Sequence, residues 1–249
     1  MVEEWYKTWF SSKYYLELYK HRDDKDAVNL INLIQKTVNL PLDSKVLDIC
    51  CGAGRHSIEL AKRGFNVTGF DLSRYLITQA KINKNKLKRK NLKIKFLIKD
   101  MRNFDFKYTF DLALNLFTSF GYFENDDENF RLFENVILSL KSTGYFVFDY
   151  LNGKYLKNHL KISNNSFILG KKVIQKRRIE NDFVIKDILI ENGEKELFFT
   201  ERLKLYSMKD FQKVYKRFGL KIINTFGNYS GNDFDDVNSE RIILIAKKI

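Results

Sequence analysis

The stretch Val46-Leu-Asp-Ile-Cys-Cys-Gly-Ala-Gly-Arg-His-Ser57, followed by Val67-Thr-Gly-Phe-Asp71, constrains the fold of this chain more than any other. Val46 to Cys50 is short, apolar and partly β-branched, the pattern of a buried strand. Cys51-Gly-Ala-Gly54 is a turn that only small residues can make, and His56 to Lys62 opens a helix. A strand, a glycine loop and a helix in that order put backbone N–H groups and a positive helix end beside whatever binds there. The second apolar run ends in an acid, Asp71, about twenty residues further on, where a carboxylate accepts hydrogen bonds from two ribose hydroxyls. The spacing implies an α/β sheet with a nucleoside half-site at its edge.

The loop departs from a dinucleotide fingerprint. It has two glycines, and Ser57 stands where the third would be. Asp48, four residues before Gly52, would repel a pyrophosphate but suits an ammonium group. A cofactor with adenosine at one end and a cationic amino acid at the other fits better, which describes S-adenosylmethionine. Asp48-Ile-Cys-Cys-Gly52-Ala-Gly54 resembles the first motif, acid-x-x-x-Gly-x-Gly, of the class I S-adenosylmethionine-dependent methyltransferases.

Further segments resemble that family in order. Ser73 to about Lys90 reads as a helix, and Leu92 to Ile98 as a third strand followed by Lys99-Asp-Met-Arg102. The resemblance implies that Asp100 contacts the adenine amino group and Met101 covers the ring. Phe110 to Phe117 resembles the fourth strand, and Thr118-Ser-Phe-Gly-Tyr-Phe123 the loop near the methionine moiety and the acceptor. Glu128 to Lys141, Gly144 and Tyr145 to Asp149 repeat the helix, turn and fifth strand. The fold implied is a Rossmann-like, doubly wound, seven-stranded sheet with an antiparallel last strand. Cofactor contacts then extend to Cys50, Arg55, His56, Leu72, Arg102, Asn115, Leu116 and Phe117.

The ends of the chain add to this core. Trp5 to Arg22 is rich in aromatic residues, and Asp26 is placed to cap a helix from Ala27 to Val38. In related small-molecule enzymes such a segment, here residues 1–40, covers the cofactor as a helical lid. Tyr15, Tyr19 and Arg22 are its candidates toward the cofactor, and Tyr14 toward the acceptor. After the fifth strand, Lys172 to Ile179, Asp182 to Glu191 and Glu196 to Leu205 alternate partially around Glu180-Asn-Asp and Asn192-Gly-Glu turns. This predicts a three-stranded antiparallel insertion over 170–206 within a single domain, 1–249. Ser207 begins an amphipathic helix that Gly219 stops, and Lys221 to Phe226 and Arg241 to Lys247 complete the sheet.

Composition narrows the function. The 249 residues are 44% hydrophobic, enough for one α/β core. No apolar run approaches the roughly 18 residues of a membrane helix. The acidic start lacks signal-peptide features, so a cytoplasmic enzyme is expected. Cys50 and Cys51 are adjacent, poor partners for a disulfide and too few for a metal site. The net charge of +13 is the best argument for nucleic acid, but the lysines of Lys81 to Lys93 are not interleaved with aromatics and suit a solvated helix face. With one proline, Pro41, the chain lacks the Pro-Pro motif of base-amino methylation, and no cysteine follows Cys51 to attack a cytosine.

Transfer to N or O of a small molecule is therefore favoured. An RNA or protein methyltransferase is one alternative, and a non-catalytic cofactor-binding protein another. Ser119, Tyr122, Asp149, Tyr150 and Asn152 fall at the expected mouth, beyond strands four and five. Tyr122 and Asp149 are the candidates for chemistry, the others for acceptor binding; monomer and homodimer both remain open.

Overall fold

A computed structural model of the chain describes residues 4–20, 24–87 and 91–249. The chain opens with three helices, α1 (Trp5–Trp9), α2 (Lys13–Leu18) and α3 (Asp24–Thr37). Then β1 (Lys45–Ile49), α4 (Arg55–Lys62), β2 (Asn66–Asp71), α5 (Arg74–Asn85) and β3 (Ile94–Ile98) alternate as the glycine loop requires. β4 (Phe110–Asn115), α6 (Asp126–Ser139) and β5 (Leu140–Leu151) continue the alternation. A helix α7 (Gly153–Asn158) leads to β6 (Ser163–Ile168), β7 (Lys171–Glu180), β8 (Phe183–Asn192) and β9 (Lys195–Lys204). The chain closes with α8 (Met208–Arg217), β10 (Leu220–Phe226) and β11 (Arg241–Lys248).

Seven strands form one sheet in the order β10-β11-β5-β4-β1-β2-β3. β1 to β5 pair in parallel, while β11 is antiparallel to both β5 and β10. Successive residues feed opposite cores because side chains alternate along a strand. In β1, Val46 joins the core under α3, α4 and α5, whereas Leu47 and Ile49 join the aromatic-rich core under α6 and α8. Strand order reverses between β1 and β4, so their carboxyl ends open a crevice at the position where such sheets bind ligands.

The other four strands form a separate antiparallel sheet, β6-β7-β8-β9. This corrects the expected three strands and the 170–206 boundary. β6 reads Ser-Asn-Asn-Ser-Phe-Ile, with turn-forming residues at most positions, and its exposure alternates as on a solvated edge. Two other expectations shift. Asp26 lies within α3, whose described residues begin at Asp24, rather than capping it, and an acid in a first turn suits the helix dipole. α5 ends at Asn85, and residues 88–90 of the lysine run lie outside the described residues.

The N-terminal helices dock on the second sheet. Trp9, Tyr14 and Leu18 bury against Ile168, Val173, Ile188 and Ile190. At the other end, Ser207, where the sequence starts this helix, forms a reciprocal capping box with Asp210 on α8. Among the described residues, no helix is long and apolar enough to cross a membrane.

Candidate active site

The two glycines of the loop do different work. Gly54, at φ +83°, lies where an added Cβ would be 2.8 Å from the Phe96 ring, so glycine lets α4 pack against β3. Gly52, at φ +55°, would place a Cβ in open space, which leaves its backbone open to close approach by a ligand. Asp71 holds the loop from the next strand, accepting from the backbone N–H of Gly52 at 3.0 Å and of Ser73 at 2.9 Å. Burial still outweighs these bonds and pushes its pKa up to about 6.

Asp48 is 2% exposed and accepts the Ser57 hydroxyl at 2.5 Å. Burial raises its pKa to about 7, and the nearby Asp71 charge adds to the rise. Ser57, read as a departure from the dinucleotide pattern, is therefore the partner of the strand acid. His56, at the start of α4, is buried, and its Nε2 has no hydrogen-bond partner. Burial and then the Arg55 charge lower its pKa to about 3, so the ring is neutral.

Beside this loop a cleft of about 1350 Å³ separates the seven-stranded sheet from the four-stranded one. Asp48, Cys50, Gly52, Arg55 and His56 line its floor, and Leu116, Phe117, Ser119 and Tyr122 its next side. Tyr15 and Tyr19, at and just beyond α2, also line it. Trp5 and Phe10 were not foreseen there. Their rings pack on Tyr122 at centroid distances of 5.2 and 5.7 Å, and Phe10 meets Tyr15 at 4.9 Å. The Phe10 carbonyl also accepts the Ser73 hydroxyl at 2.8 Å, tying this aromatic cover to the end of β2.

Other expected residues do not line the cleft. Asp71 is buried and Leu72 partly buried, and Asp100 pairs with Arg102 at 2.7 Å, while Arg102 also reaches Glu128 at 3.0 Å. Met101 is buried, its sulfur 3.7 Å from the Cys50 thiol. Asn115 is buried and donates to the Ser119 carbonyl at 3.1 Å, with its Oδ1 unpartnered. Arg22 lies outside the described residues.

Four acceptor-side assignments are corrected. Tyr14 is buried between the lid and the second sheet. Tyr150 is fully buried among aromatic rings and donates its hydroxyl to the Lys204 carbonyl, because its alternation on β5 points it into the core. Asn152 caps α7 and donates to the carbonyls of Asp236 and Ser239 at 3.0 and 2.9 Å. Asp149 is fully buried rather than at the mouth. Its carboxylate accepts from Arg241 Nε at 2.8 Å, the Tyr229 hydroxyl at 2.9 Å and the Phe117 N–H at 2.9 Å.

That buried cluster holds a strained turn. Phe117 and Thr118 have φ of +58° and +62°, costing on the order of 1–2 kcal/mol each. Asp149 fixes both, since its backbone carbonyl accepts from the Thr118 N–H at 2.9 Å. The turn presents the Phe117 ring to the cleft, with the Arg55 guanidinium 4.4 Å above it and Tyr229 stacked at 5.6 Å. Tyr229 and Arg241 line the cleft although neither was a candidate, because the loop before β11 and the start of β11 meet Asp149 only once β11 pairs with β5.

The far wall belongs to the second sheet. Asn164, Gln175, Arg177, Lys186 and Glu201 face the cleft from four strands. Glu201 accepts from the Trp9 indole at 2.6 Å and the Tyr19 hydroxyl at 2.6 Å, and pairs with Lys186 at 3.2 Å. Partial alternation predicted three of these strands, without β6, and did not tell which face turns toward the glycine loop.

Comparison with known proteins agrees with this geometry. Residues 46–144 match the family described as "Methyltransferase domain". "Putative methyltransferase YqeM" of Bacillus subtilis is 34% identical over 114 residues, 45% of this chain and 44% of that protein. The match thus spans less than half the length of that relative. "Cypemycin N-terminal methyltransferase" of a Streptomyces species is 22% identical over 214 residues, 84% of this chain and 85% of that one. Among solved structures, an S-adenosylmethionine-dependent methyltransferase of Clostridium acetobutylicum superposes with a TM-score of 0.78 at 24% identity, covering 94% of this chain and 96% of that one. CalS10, an amino pentose methyltransferase of Micromonospora echinaspora solved with S-adenosylmethionine bound, gives 0.72 at 16% identity over 96% and 98%. The fold is shared with the two solved structures, and residues 46–144 match the methyltransferase-domain family.

Proposed function

We propose that this chain transfers a methyl group from S-adenosylmethionine to a nitrogen of a small molecule held between its two sheets, oxygen being the less favoured acceptor atom. The observation that carries this reading is the single cleft of about 1350 Å³ shared by the glycine loop and the polar wall of the second sheet. It exceeds the roughly 300–1,000 Å³ of an ordinary ligand pocket, room for a cofactor and an acceptor together. The likenesses to CalS10, by title an amino pentose methyltransferase, and to the cypemycin N-terminal methyltransferase support it.

The residues present fit the cofactor. Gly52 offers open backbone, and Asp48 is a buried carboxylate at the cleft floor that a cation would drive to its ionised form. These two, with His56, Leu116 and Phe117, would hold the methionine end, whereas Asp71, Asp100 and Met101, expected at the adenosine end, stand outside the cleft lining. When bound, the cofactor supplies an electrophilic methyl group on sulfur. The protein holds the acceptor in line, which contributes on the order of 7–11 kcal/mol. Trp5, Phe10, Tyr15 and Tyr122 exclude water.

Tyr122 donates to the Thr118 carbonyl at 3.2 Å, and burial keeps its phenol protonated, so it orients rather than accepts a proton. Ser119 likewise donates to the Leu116 carbonyl at 2.9 Å. Asp149 is committed to Arg241. An amine arriving neutral needs no base, whereas a hydroxyl does; this favours nitrogen.

Calorimetric titration with S-adenosylhomocysteine and NAD, followed by transfer of labelled methyl into a metabolite extract, tests the reading. Micromolar binding of the first ligand alone and label in small molecules are expected. Binding of NAD instead, or label confined to RNA, overturns it. Label in peptides would favour the second reading, a peptide amine, to which the cypemycin likeness points.

A further inference from the structure

The inner face of the second sheet is apolar at both ends and polar across its middle. In register, Arg177 lies directly opposite Lys186, and Lys186 opposite Glu201. Two cations facing each other on one side of an antiparallel pair repel. Glu201 pairs with Lys186, so that lysine is compensated within the sheet. Arg177 is not. Among the described residues its guanidinium has no carboxylate partner; it donates to the Asn164 side-chain oxygen at 2.7 Å, the Gln175 side-chain oxygen at 3.1 Å and the Lys161 carbonyl at 3.3 Å. These neutral acceptors fix the plane of the fork without cancelling its charge, and Nε donates to none of them.

Arg177, Asn164 and Gln175 all line the cleft. Gln175 is 5% exposed and already gives its oxygen to Arg177, so its amide N–H groups are the donors it has left. An oriented guanidinium with spare N–H groups beside an amide donor is the arrangement that binds a planar or tetrahedral oxyanion. Arg177 is half-buried on the cleft wall, so its charge stays accessible to an arriving anion.

We propose that the acceptor carries an anionic oxyacid group, carboxylate or phosphate, and that Arg177 with Gln175 binds it, making Arg177 the specificity-determining residue of the acceptor site. This rests on the methyltransferase reading above, and it adds that neutral analogues of the acceptor are discriminated against. The anion anchors one end of the molecule on the second sheet, and its nucleophilic nitrogen extends toward the glycine loop. The charge of the wall thereby orients the acceptor before transfer.

The test uses inorganic phosphate and acetate as separate probes, titrated by calorimetry into the protein with and without saturating S-adenosylhomocysteine. Millimolar binding of at least one probe is expected, weakened at least fivefold in Arg177→Gln and partly restored in Arg177→Lys, with S-adenosylhomocysteine affinity unchanged in both. The stronger probe tells phosphate from carboxylate. Labelled product from a metabolite extract should be retained on an anion exchanger and fall at least tenfold in Arg177→Gln. Failure of both probes to bind wild-type protein, or product that passes through the exchanger, overturns the proposal even where S-adenosylhomocysteine binds. Loss of S-adenosylhomocysteine binding by the wild type would instead refute the methyltransferase reading, and the probe titrations would still decide the anion site.

Discussion

Asp48→Asn should make the ligand-free protein more stable at pH 8 and a poorer cofactor binder at the same time. The Asp48 carboxyl is buried, and its pKa stands at about 7 instead of 3.8. Carried ionised, it costs the native state on the order of 4 kcal/mol at pH 8. The sign follows from proton binding. Between pH 4 and 7 the native state holds a proton there that the unfolded state has released, so stability falls as pH rises through this window and levels off above it. Asparagine keeps an oxygen for the Ser57 hydroxyl and carries no charge. Its new N–H groups offset part of the gain, by about 1–3 kcal/mol.

The net change at pH 8 is then a stabilisation of about 1–3 kcal/mol, a rise in Tm of roughly 3–10 °C for a chain of this size. At pH 5, where Asp48 is already neutral, the variant should gain nothing. Thermal melts at both pH values read this directly. Calorimetry with S-adenosylhomocysteine reads the other half: losing a charge-assisted contact to the ammonium of about 1.5–3 kcal/mol weakens binding roughly ten- to hundredfold. Wild-type affinity should also decline below pH 7 as Asp48 takes up its proton. Equal destabilisation of the variant at pH 5 and pH 8, with unchanged affinity, would refute the assignment of a strained carboxylate waiting for a cation.

Asp71→Ala should free the Gly52 and Ser73 N–H groups that the carboxylate now holds, weakening S-adenosylhomocysteine binding by about 1.5–3 kcal/mol in calorimetry. Asp149→Ala should destabilise the fold by about 2–4 kcal/mol in a thermal melt, by taking the carboxylate from the half-buried Arg241, and Asp149→Leu with Arg241→Met should recover most of it. A variant that kept its Tm but lost methyl transfer would restore Asp149 as a base. Gly54→Ala should cost about 2–4 kcal/mol in a denaturant melt, from left-handed strain plus the Phe96 clash. Gly52→Ala, open at its Cβ position, should cost only about 1 kcal/mol of stability yet abolish detectable cofactor binding.

The sequence by itself determined the half of this protein that is built from local signals. Asp48, Gly52 and Gly54 sit at the end of one strand and its loop, and Asp71 follows after one helix and one strand. Backbone geometry leaves such a run little choice but a strand, a glycine turn and a helix. Ser207 and Gly219 marked the last helix equally well, since caps are made within a few residues. Tertiary structure decided whatever depended on which side of an element faces which neighbour. Tyr150 and Asp149 are adjacent on β5, and pairing with β11 made the latter a partner for Arg241 while packing under α8 buried the former. The second sheet gained an edge strand from a polar segment, and its register set Arg177, Lys186 and Glu201 in a row across the cleft. Cross-strand contacts join residues far apart in the chain, and periodicity records only that a strand has two faces.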